Sequence, residues 1–160
     1  MKPRALDLFC GAGGMSMGLH RAGFEVTGVD LHHQAEYPFA FHQADALTFN
    51  LAGYDFIHAS PPCKRFTAYR RRPGHVAEYP NLIPAMRARL MAAGVPWSME
   101  NVPGAPLEHP VLLCGSMFGL DVRARGAPAS AVRVLVRPLD PGLQPRGAGR
   151  LVPPGDQPGQ

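Results

Sequence analysis

The sequence predicts an α/β protein built on a doubly wound, Rossmann-like parallel sheet. Three observations predict it. Short apolar runs of strand length alternate with stretches of helical period from about residue 4 to residue 102. The first run, Leu6 to Cys10, stops on the glycine cluster Gly11-Ala12-Gly13-Gly14. The runs also end on polar or special residues: Phe9-Cys10-Gly11, Asp30, Asp45, Pro62-Cys63 and Glu100-Asn101. Open α/β sheets bind ligands at the carboxyl ends of their strands, so these ends mark the site.

Each element follows in order. Leu6 to Cys10 reads as a buried strand and the glycines as a tight turn. Met15 to Ala22 has helical spacing, with Met15, Leu19 and Ala22 on one side, and Gly23 closes it. Glu25 to Asp30 is a second strand, giving a β-loop-α-β unit with parallel strands. Ala35 to Phe41 reads as a short helix interrupted by Pro38, and His42 to Asp45 as a third strand. Tyr54 to Ala59 is a fourth strand, stopped by Ser60-Pro61-Pro62-Cys63. Lys64 to Glu78 is polar, basic and broken by glycine and proline, which predicts a loop. Asn81 to Ala93 is a helix with Leu82, Met86 and Leu90 in line, and Val95 to Val102 a fifth strand ended by Pro103. Val111 to Gly119 is apolar and fits either element type.

Composition sets the limits. The 160 residues fit one domain, and 46% apolar residues suffice for a core. No run reaches transmembrane length and no signal peptide is visible, so a soluble cytoplasmic protein is expected. The net charge of +4 is concentrated late: residues 121–160 hold six basic and three acidic residues. Earlier, the basic run is Arg70-Arg71-Arg72, which charge alone assigns equally to a solvated loop or to phosphate contact. Cys10, Cys63 and Cys114 are odd in number and lack Cys-x-x-Cys spacing, so neither a disulfide framework nor a metal site is expected. His32-His33 reads as an exposed loop pair. Residues 124–160 are rich in proline, glycine and arginine and form an expected disordered tail after a domain spanning 1–123, with Ala131 to Val136 alone resembling a strand.

The chemistry rests on a few residue types. Gly11, Gly13 and Gly14 let backbone approach a ligand, although a glycine turn by itself fits any strand-to-helix turn. Asp30 can accept from both hydroxyls of a ribose, and Asp45 can meet an adenine amino group. In order on successive strand ends, they favour an adenosine-bearing cofactor over mere turn residues. Most cysteines are inert buried thiols, and Cys10 and Cys114 fit that description. Cys63 differs because Pro61-Pro62 fix the backbone before it, and Lys64 and Arg65 favour a thiolate. Glu100 interrupts an apolar strand; burial raises a carboxyl's pKa and keeps its proton available.

Three motifs then carry a resemblance. Asp7-Leu8-Phe9-Cys10-Gly11-Ala12-Gly13-Gly14, Ser60-Pro61-Pro62-Cys63 and Glu100-Asn101-Val102 resemble, in order, the cofactor, nucleophile and Glu-Asn-Val motifs of the DNA cytosine-5 methyltransferases. The resemblance covers about residues 4–123 and implies an S-adenosylmethionine-dependent methyltransferase fold. It implies a cofactor pocket from Asp7, Phe9, Cys10, Gly11 and Gly13, with Asp30, Leu31, Asp45, Ala46 and Pro62. Catalysis would fall to Cys63 as nucleophile at cytosine C6, Glu100 on N3 and the amino group, and Asn101 orienting the nucleophile loop. The partner would be DNA with its cytosine flipped out, as in a restriction-modification enzyme. Lys64, Arg65, Arg70, Arg71 and Arg72 would lie on phosphates, joined by Arg123 and Arg125.

The family's pattern is departed from in several places. Lys64 stands where Gln is usual, and Ser60-Pro61 replaces a Gly-aromatic pair. Val122-Arg123-Ala124-Arg125 is a fragment of the Gln-Arg-x-Arg type motif, and the later motifs and target-recognition region are not identifiable, so the fold reads as incomplete toward the C-terminus. Permitted codons for Ala127 to Val136, read one nucleotide later, spell Arg-Arg-Arg-Ala-Arg-Phe-Glu-Ser-Trp, which the family would place after Gly119. On that reading the tail from near Arg125 is out of frame; the coding DNA around codon 125 decides between this and a natural short form. Two other functions stand beside an active enzyme: a catalytically impaired remnant that keeps cofactor or weak DNA binding, and a small-molecule methyltransferase. An active chain would take target recognition from a second polypeptide.

Overall fold

A computed structural model describes residues 1–67, 79–118 and 131–137. Its strands are β1 (Arg4–Leu8), β2 (Glu25–Asp30), β3 (Ala40–Gln43), β4 (Phe56–Ala59), β5 (Trp97–Asn101), β6 (Val111–Cys114) and β7 (Ala131–Arg137). Its α-helices are α1 (Gly14–Arg21) and α2 (Ile83–Ala92). The strands form one sheet in the order β3-β2-β1-β4-β5-β7-β6. The first five are parallel; β7 runs antiparallel between β5 and β6. Strand order reverses between β1 and β4, the switch point at which sheets of this kind open a crevice.

The helices cover opposite faces because β1 alternates. Ala5 packs with Leu19 of α1 and Val26, while Leu6 and Leu8 face Ile83, Met86 and Leu90 of α2. The larger core adds Ile57, Met99 and Trp97. Leu6, Leu8, Met86, Leu90, Ile57 and Met99 are wholly buried, and each such side chain contributes roughly 1.5–3 kcal/mol.

Several sequence expectations shift. The helix expected over Ala35 to Phe41 is absent: Pro38 biases Tyr37 toward extended backbone, and Tyr37, Phe39 and Phe41 pack ring against ring. The third strand consequently begins at Ala40 and ends at Gln43, leaving Asp45 in the following turn. The first strand ends at Leu8 because Phe9 takes φ 62, a left-handed conformation no strand continues. In α1 the buried positions are Ser16 and Leu19 rather than Met15 and Ala22, because the facing residue on β1 is Asp7. In α2 the buried row starts at Ile83, not Leu82, and Asn81 Oδ1 accepts the Ile83 N–H at 3.2 Å. Lys64–Phe66 forms a 3₁₀ turn, and the described part of the apolar stretch from Val111 splits into β6 and a 3₁₀ turn over Gly115–Phe118.

Ala131–Arg137, the one stretch of the expected tail that resembles a strand, is a strand of the main sheet. Met99 pairs with Leu135 and Leu113 with Val132, so β7 closes the gap between β5 and β6. The rest of the expected tail lies outside the described residues.

Candidate active site

The site is built by register. Cα pairing places His42, Val29, Leu8, Ala59 and Met99 in one row across the five parallel strands. The next residues along the chain are Gln43, Asp30, Phe9, Ser60 and Glu100, with Asp30 and Gln43 still paired. Every motif found in the sequence therefore leaves the sheet at the same carboxyl edge.

On the β1–β2 side stands the glycine turn. Gly11 and Gly13 have φ of 50° and 90°, conformations that side chains disfavour. An added Cβ at Gly11 would meet nothing within 4 Å, so open space lies over the turn. Phe9 holds its own left-handed φ without being glycine, a strain of order 1 kcal/mol concentrated at the expected cofactor position. Asp30 ties the turn down: Oδ2 accepts the Gly11 N–H and Oδ1 the His32 N–H, each at 3.0 Å. A carboxylate has about four acceptor positions, so capacity for further donors remains. Asp45 is exposed, and its Oδ1 accepts the Leu47 N–H at 2.8 Å. Leu31 is exposed beside Asp30.

Three of the expected cofactor residues are internal. Asp7 is fully buried with its carboxylate held by the Ser16 hydroxyl, and its Oδ1 has no partner. Burial pushes its carboxyl up to about 6 against the Ser16 bond that lowers it. Cys10 is buried; its N–H donates to Val29 carbonyl at 3.1 Å and burial drives its thiol up to about 12. Such a thiol stays protonated and inert. Ala46 is buried, and its carbonyl accepts from Arg89 of α2, which also donates to Phe49.

The β4–β5 side carries the thiol. Pro62 is exposed and Cys63 half-buried at the start of the 3₁₀ turn, where the Cys63 carbonyl accepts the Phe66 N–H at 2.8 Å. Asn101 is buried; its Nδ2 donates to the Pro61 carbonyl at 2.8 Å and its Oδ1 accepts the Val102 N–H. Glu100 precedes it on β5, half-buried, with burial raising its carboxyl above the usual range. Gly104 lets the loop after β5 press on the thiol's turn: a Cβ there would lie 2.9 Å from the Phe66 carbonyl. Lys64 and Arg65 are exposed, and both engage Tyr79, Lys64 Nζ over its ring at 5.1 Å and Arg65 Nη1 on its carbonyl at 3.2 Å. Arg70, Arg71, Arg72, Arg123 and Arg125 lie outside the described residues.

Sequence reasoning missed a second group. His58 is buried between Ser98 Oγ, 2.7 Å from Nδ1, and Ser60 Oγ, 3.1 Å from Nε2; burial lowers it to about 4. Ser16 also bonds the Tyr37 hydroxyl at 2.6 Å, and the Tyr37 ring lies where a Cβ on Gly28 would stand, 2.3 Å from its atoms. A signal was present. Asp7, His58 and Ser98 are each the polar centre of an apolar triplet, Leu6-Asp7-Leu8, Ile57-His58-Ala59 and Trp97-Ser98-Met99, and they are Cα partners across β1, β4 and β5. Among the described residues no cluster of three His, Cys, Asp or Glu is placed to hold a metal ion. Nor does any described helix have the length and apolarity to cross a membrane.

Comparison with known proteins gives a family and a fold. Residues 4–107 match the family described as C-5 cytosine-specific DNA methylase. A mutant of DNMT2 from Spodoptera frugiperda superposes with a TM-score of 0.57 at 20% identity, over 88% of this chain and 51% of that one. Dnmt2 methyltransferase from S. pombe gives 0.57 at 16% identity, over 90% and 52%. A Thermoplasma acidophilum protein, 1320, gives 0.50 at 16%, over 84% and 78%. The chain thus spans about half the length of the two Dnmt2 structures, whose likeness is one of fold. No curated protein matches it in sequence.

Proposed function

The chain belongs to the C-5 cytosine-specific DNA methylase family, and from that premise we propose that it transfers a methyl group from S-adenosylmethionine to C5 of a cytosine in DNA. The observation that carries the proposal is the bond from Asn101 Nδ2 to the Pro61 carbonyl, 2.8 Å long. It fastens the turn bearing Cys63 to the strand bearing Glu100, so a thiol and a carboxyl whose pKa burial raises share one edge of the sheet.

The chain's residues fit the cofactor. Open space over Gly11, the Asp30 carboxylate ending β2 and exposed Asp45 ending the next segment make a cradle for an adenosine with a ribose diol. Asp30 would hold the ribose hydroxyls and Asp45 the adenine amino group, with Phe9, Leu31 and Pro62 about them. Asp7, Cys10 and Ala46 would act from within: Asp7 through Ser16, Cys10 by its backbone, Ala46 through the turn that Arg89 holds. The bound cofactor would supply an electrophilic methyl on a sulfonium.

Carbon 5 of cytosine is a weak nucleophile, so the protein must first raise its electron density. Cys63 would add as thiolate to C6, forming an S–C6 bond while the C5–C6 π pair moves to C5. Glu100, whose carboxyl burial raises above the usual range, would donate to N3 when it carries its proton and so offset the charge that develops on the ring. After C5 has gained the methyl, its proton is lost to solvent and the thiolate leaves, restoring the C5–C6 double bond. A cytosine inside a duplex is out of reach of Cys63, so the base must be extruded. Lys64 and Arg65, together with the arginines 70, 71, 72, 123 and 125, would lie along phosphates, and a second polypeptide would supply sequence recognition.

The test is incorporation of labelled methyl into DNA by the full chain and by Cys63→Ser. Transfer by the former alone supports the proposal. Transfer that survives the substitution refutes the thiol mechanism. Absence of transfer from both, with cofactor still bound, leaves the impaired binding form; label in RNA but not DNA changes the substrate.

A further inference from the structure

The turn that presents Cys63 has an unusual difficulty. Pro61 and Pro62 have no N–H, so two successive backbone donors that normally anchor a strand-end turn are missing. Side chains therefore carry part of the anchoring. Its described ties are the Ser60 N–H to the Leu8 carbonyl at 3.1 Å, the Phe66 N–H to Cys63, Asn101 on Pro61, and the Ser60 hydroxyl on His58.

Resting on the reading of Cys63 as nucleophile, we propose that His58 and Ser98 are positioning residues: the chain Ser98–His58–Ser60 sets the Cys63 turn against the strand of Glu100. Three observations support this. His58 and Ser98 are Cα partners on β4 and β5, so the imidazole spans between them without distortion of either strand. The chain begins two residues before Glu100 on β5 and ends three residues before Cys63. Both partners are nearly fully buried, His58 at 3% and Ser98 at 5% exposure. Aliphatic side chains at 58 and 98 would fill the space without desolvating any polar group. Keeping the polar pair makes sense where a defined direction matters more than cohesion. A neutral imidazole donates with one ring nitrogen and accepts with the other, so the hydroxyls of Ser98 and Ser60 are both oriented by the same ring. Asn101 grips residue 61 from the same strand, so Ser60 and Pro61 are fixed at consecutive positions by β5.

His58 does not reach the base; it acts through Ser60. Its removal should therefore slow methyl transfer and loosen the turn while leaving the cofactor cradle on β1 and β2 unaffected.

The variants are Ser98→Ala, which deletes the far hydroxyl; Ser98→Thr, which restores it; and His58→Phe, which keeps a ring but no bonds. Each is assayed in the full chain for single-turnover methyl transfer to DNA, for S-adenosylmethionine affinity, and for amide hydrogen exchange over residues 60–67 without DNA. Ser98→Ala and His58→Phe are expected to slow transfer about tenfold to a hundredfold, the range set by ångström-scale misplacement of a reacting group. The turn's amides should exchange about tenfold faster, affinity for the cofactor should fall much less than the rate because its main holders, Asp30 and Asp45, lie outside the turn, and Ser98→Thr should recover the rate. Wild-type exchange over the turn in both Ser98→Ala and His58→Phe overturns the proposal. So does a fall in melting temperature with turn exchange unchanged, which would make the chain merely structural. Faster turn exchange in a protein whose wild type does not methylate would sustain the positioning and defeat the proposed reaction instead.

Discussion

Asp7 and His58 are Cα partners on β1 and β4, both buried, and their titrations oppose each other. Burial raises Asp7 from 3.8 to about 6 and lowers His58 from 6.5 to about 4. Each shift is about two units, and each unit is worth about 1.4 kcal/mol, so each group is linked to about 3 kcal/mol of stability. The signs differ. Asp7 is protonated in the fold while the unfolded chain ionises, so its contribution is complete below pH 3.8 and is lost as pH rises through about 6. His58 is neutral in the fold while the unfolded chain protonates, so its contribution is complete above pH 6.5 and is lost as pH falls through about 4. In the natural chain the two slopes nearly cancel between pH 4 and 6. Asp7→Asn and His58→Gln each remove one. Urea unfolding at pH 4, 5, 6 and 7 measures them as differences from wild type, which cancels the other groups. Relative to wild type, Asp7→Asn should gain about 3 kcal/mol between pH 4 and 7, and His58→Gln should lose about as much over the same interval. Differences that stay constant with pH would refute the reasoning, because a pKa shared by folded and unfolded states produces no slope.

Other outcomes follow from single contacts. Glu100→Gln should reduce methyl transfer about 10²–10³-fold while binding of cofactor persists, and in the wild type the rate should decline as pH rises through the raised Glu100 pKa; a pH–rate profile of both proteins checks it. Arg89→Met removes the guanidinium that holds Ala46 and Phe49, so KM for S-adenosylmethionine should rise several-fold with kcat little changed, measured in steady-state methylation. Gly104→Ala sets a Cβ against the Phe66 carbonyl at 2.9 Å and should destabilise by about 1–3 kcal/mol, read by urea unfolding, with slower transfer because the Cys63 turn must shift.

The fold was legible where one rule governed. The glycine turn, the parallel strands β1, β2, β4 and β5 and the helix over 83–92 follow from period and punctuation, and their strand-end residues do meet at one edge. The expected helix at Ala35 to Phe41 failed because helical spacing there belonged to aromatics that pack edge-on and tilted against one another across Pro38. The face of α1 was misread because the apolar row Met15, Leu19 and Ala22 set the expected face; only the Asp7 opposite it explains the burial of polar Ser16. The strand at Ala131–Arg137 was legible from its alternating valines inside an otherwise tail-like composition, but its place between β5 and β6 was not, since that pairing is a non-local fact. Glu100 and Asn101 were legible as polar residues in an apolar strand. Asp7, His58 and Ser98 broke the same rule; Asp7 was noticed only within its motif, and the other two were passed over because each alone looks like an ordinary strand residue.

Those interruptions have a common geometry. A parallel sheet covered on both faces is stabilised by near-continuous apolar strands, and each polar centre in a triplet works against that. Here they are not scattered: Asp7, His58 and Ser98 stand side by side in one row, and the row directly beyond Leu8, Ala59 and Met99 carries Phe9, Ser60 and Glu100. Asp7 connects through Ser16 to the helix that begins at the glycine turn, and His58 connects through Ser60 to the turn of Cys63. The polar row therefore lies beneath both halves of the proposed site, two residues inside its rim. Hydrocarbon in that row would give a more stable sheet but would hold neither turn in a defined orientation. The burden on stability also has a limit: near neutral pH the neutral imidazole is stabilising relative to its alternative, so the charged-group penalty falls on Asp7 alone. If the proposed site aims a thiol and cradles an adenosine from neighbouring strands, both interruptions have a reason to be kept, and the pH slopes of Asp7→Asn and His58→Gln read out the energetic weight of each.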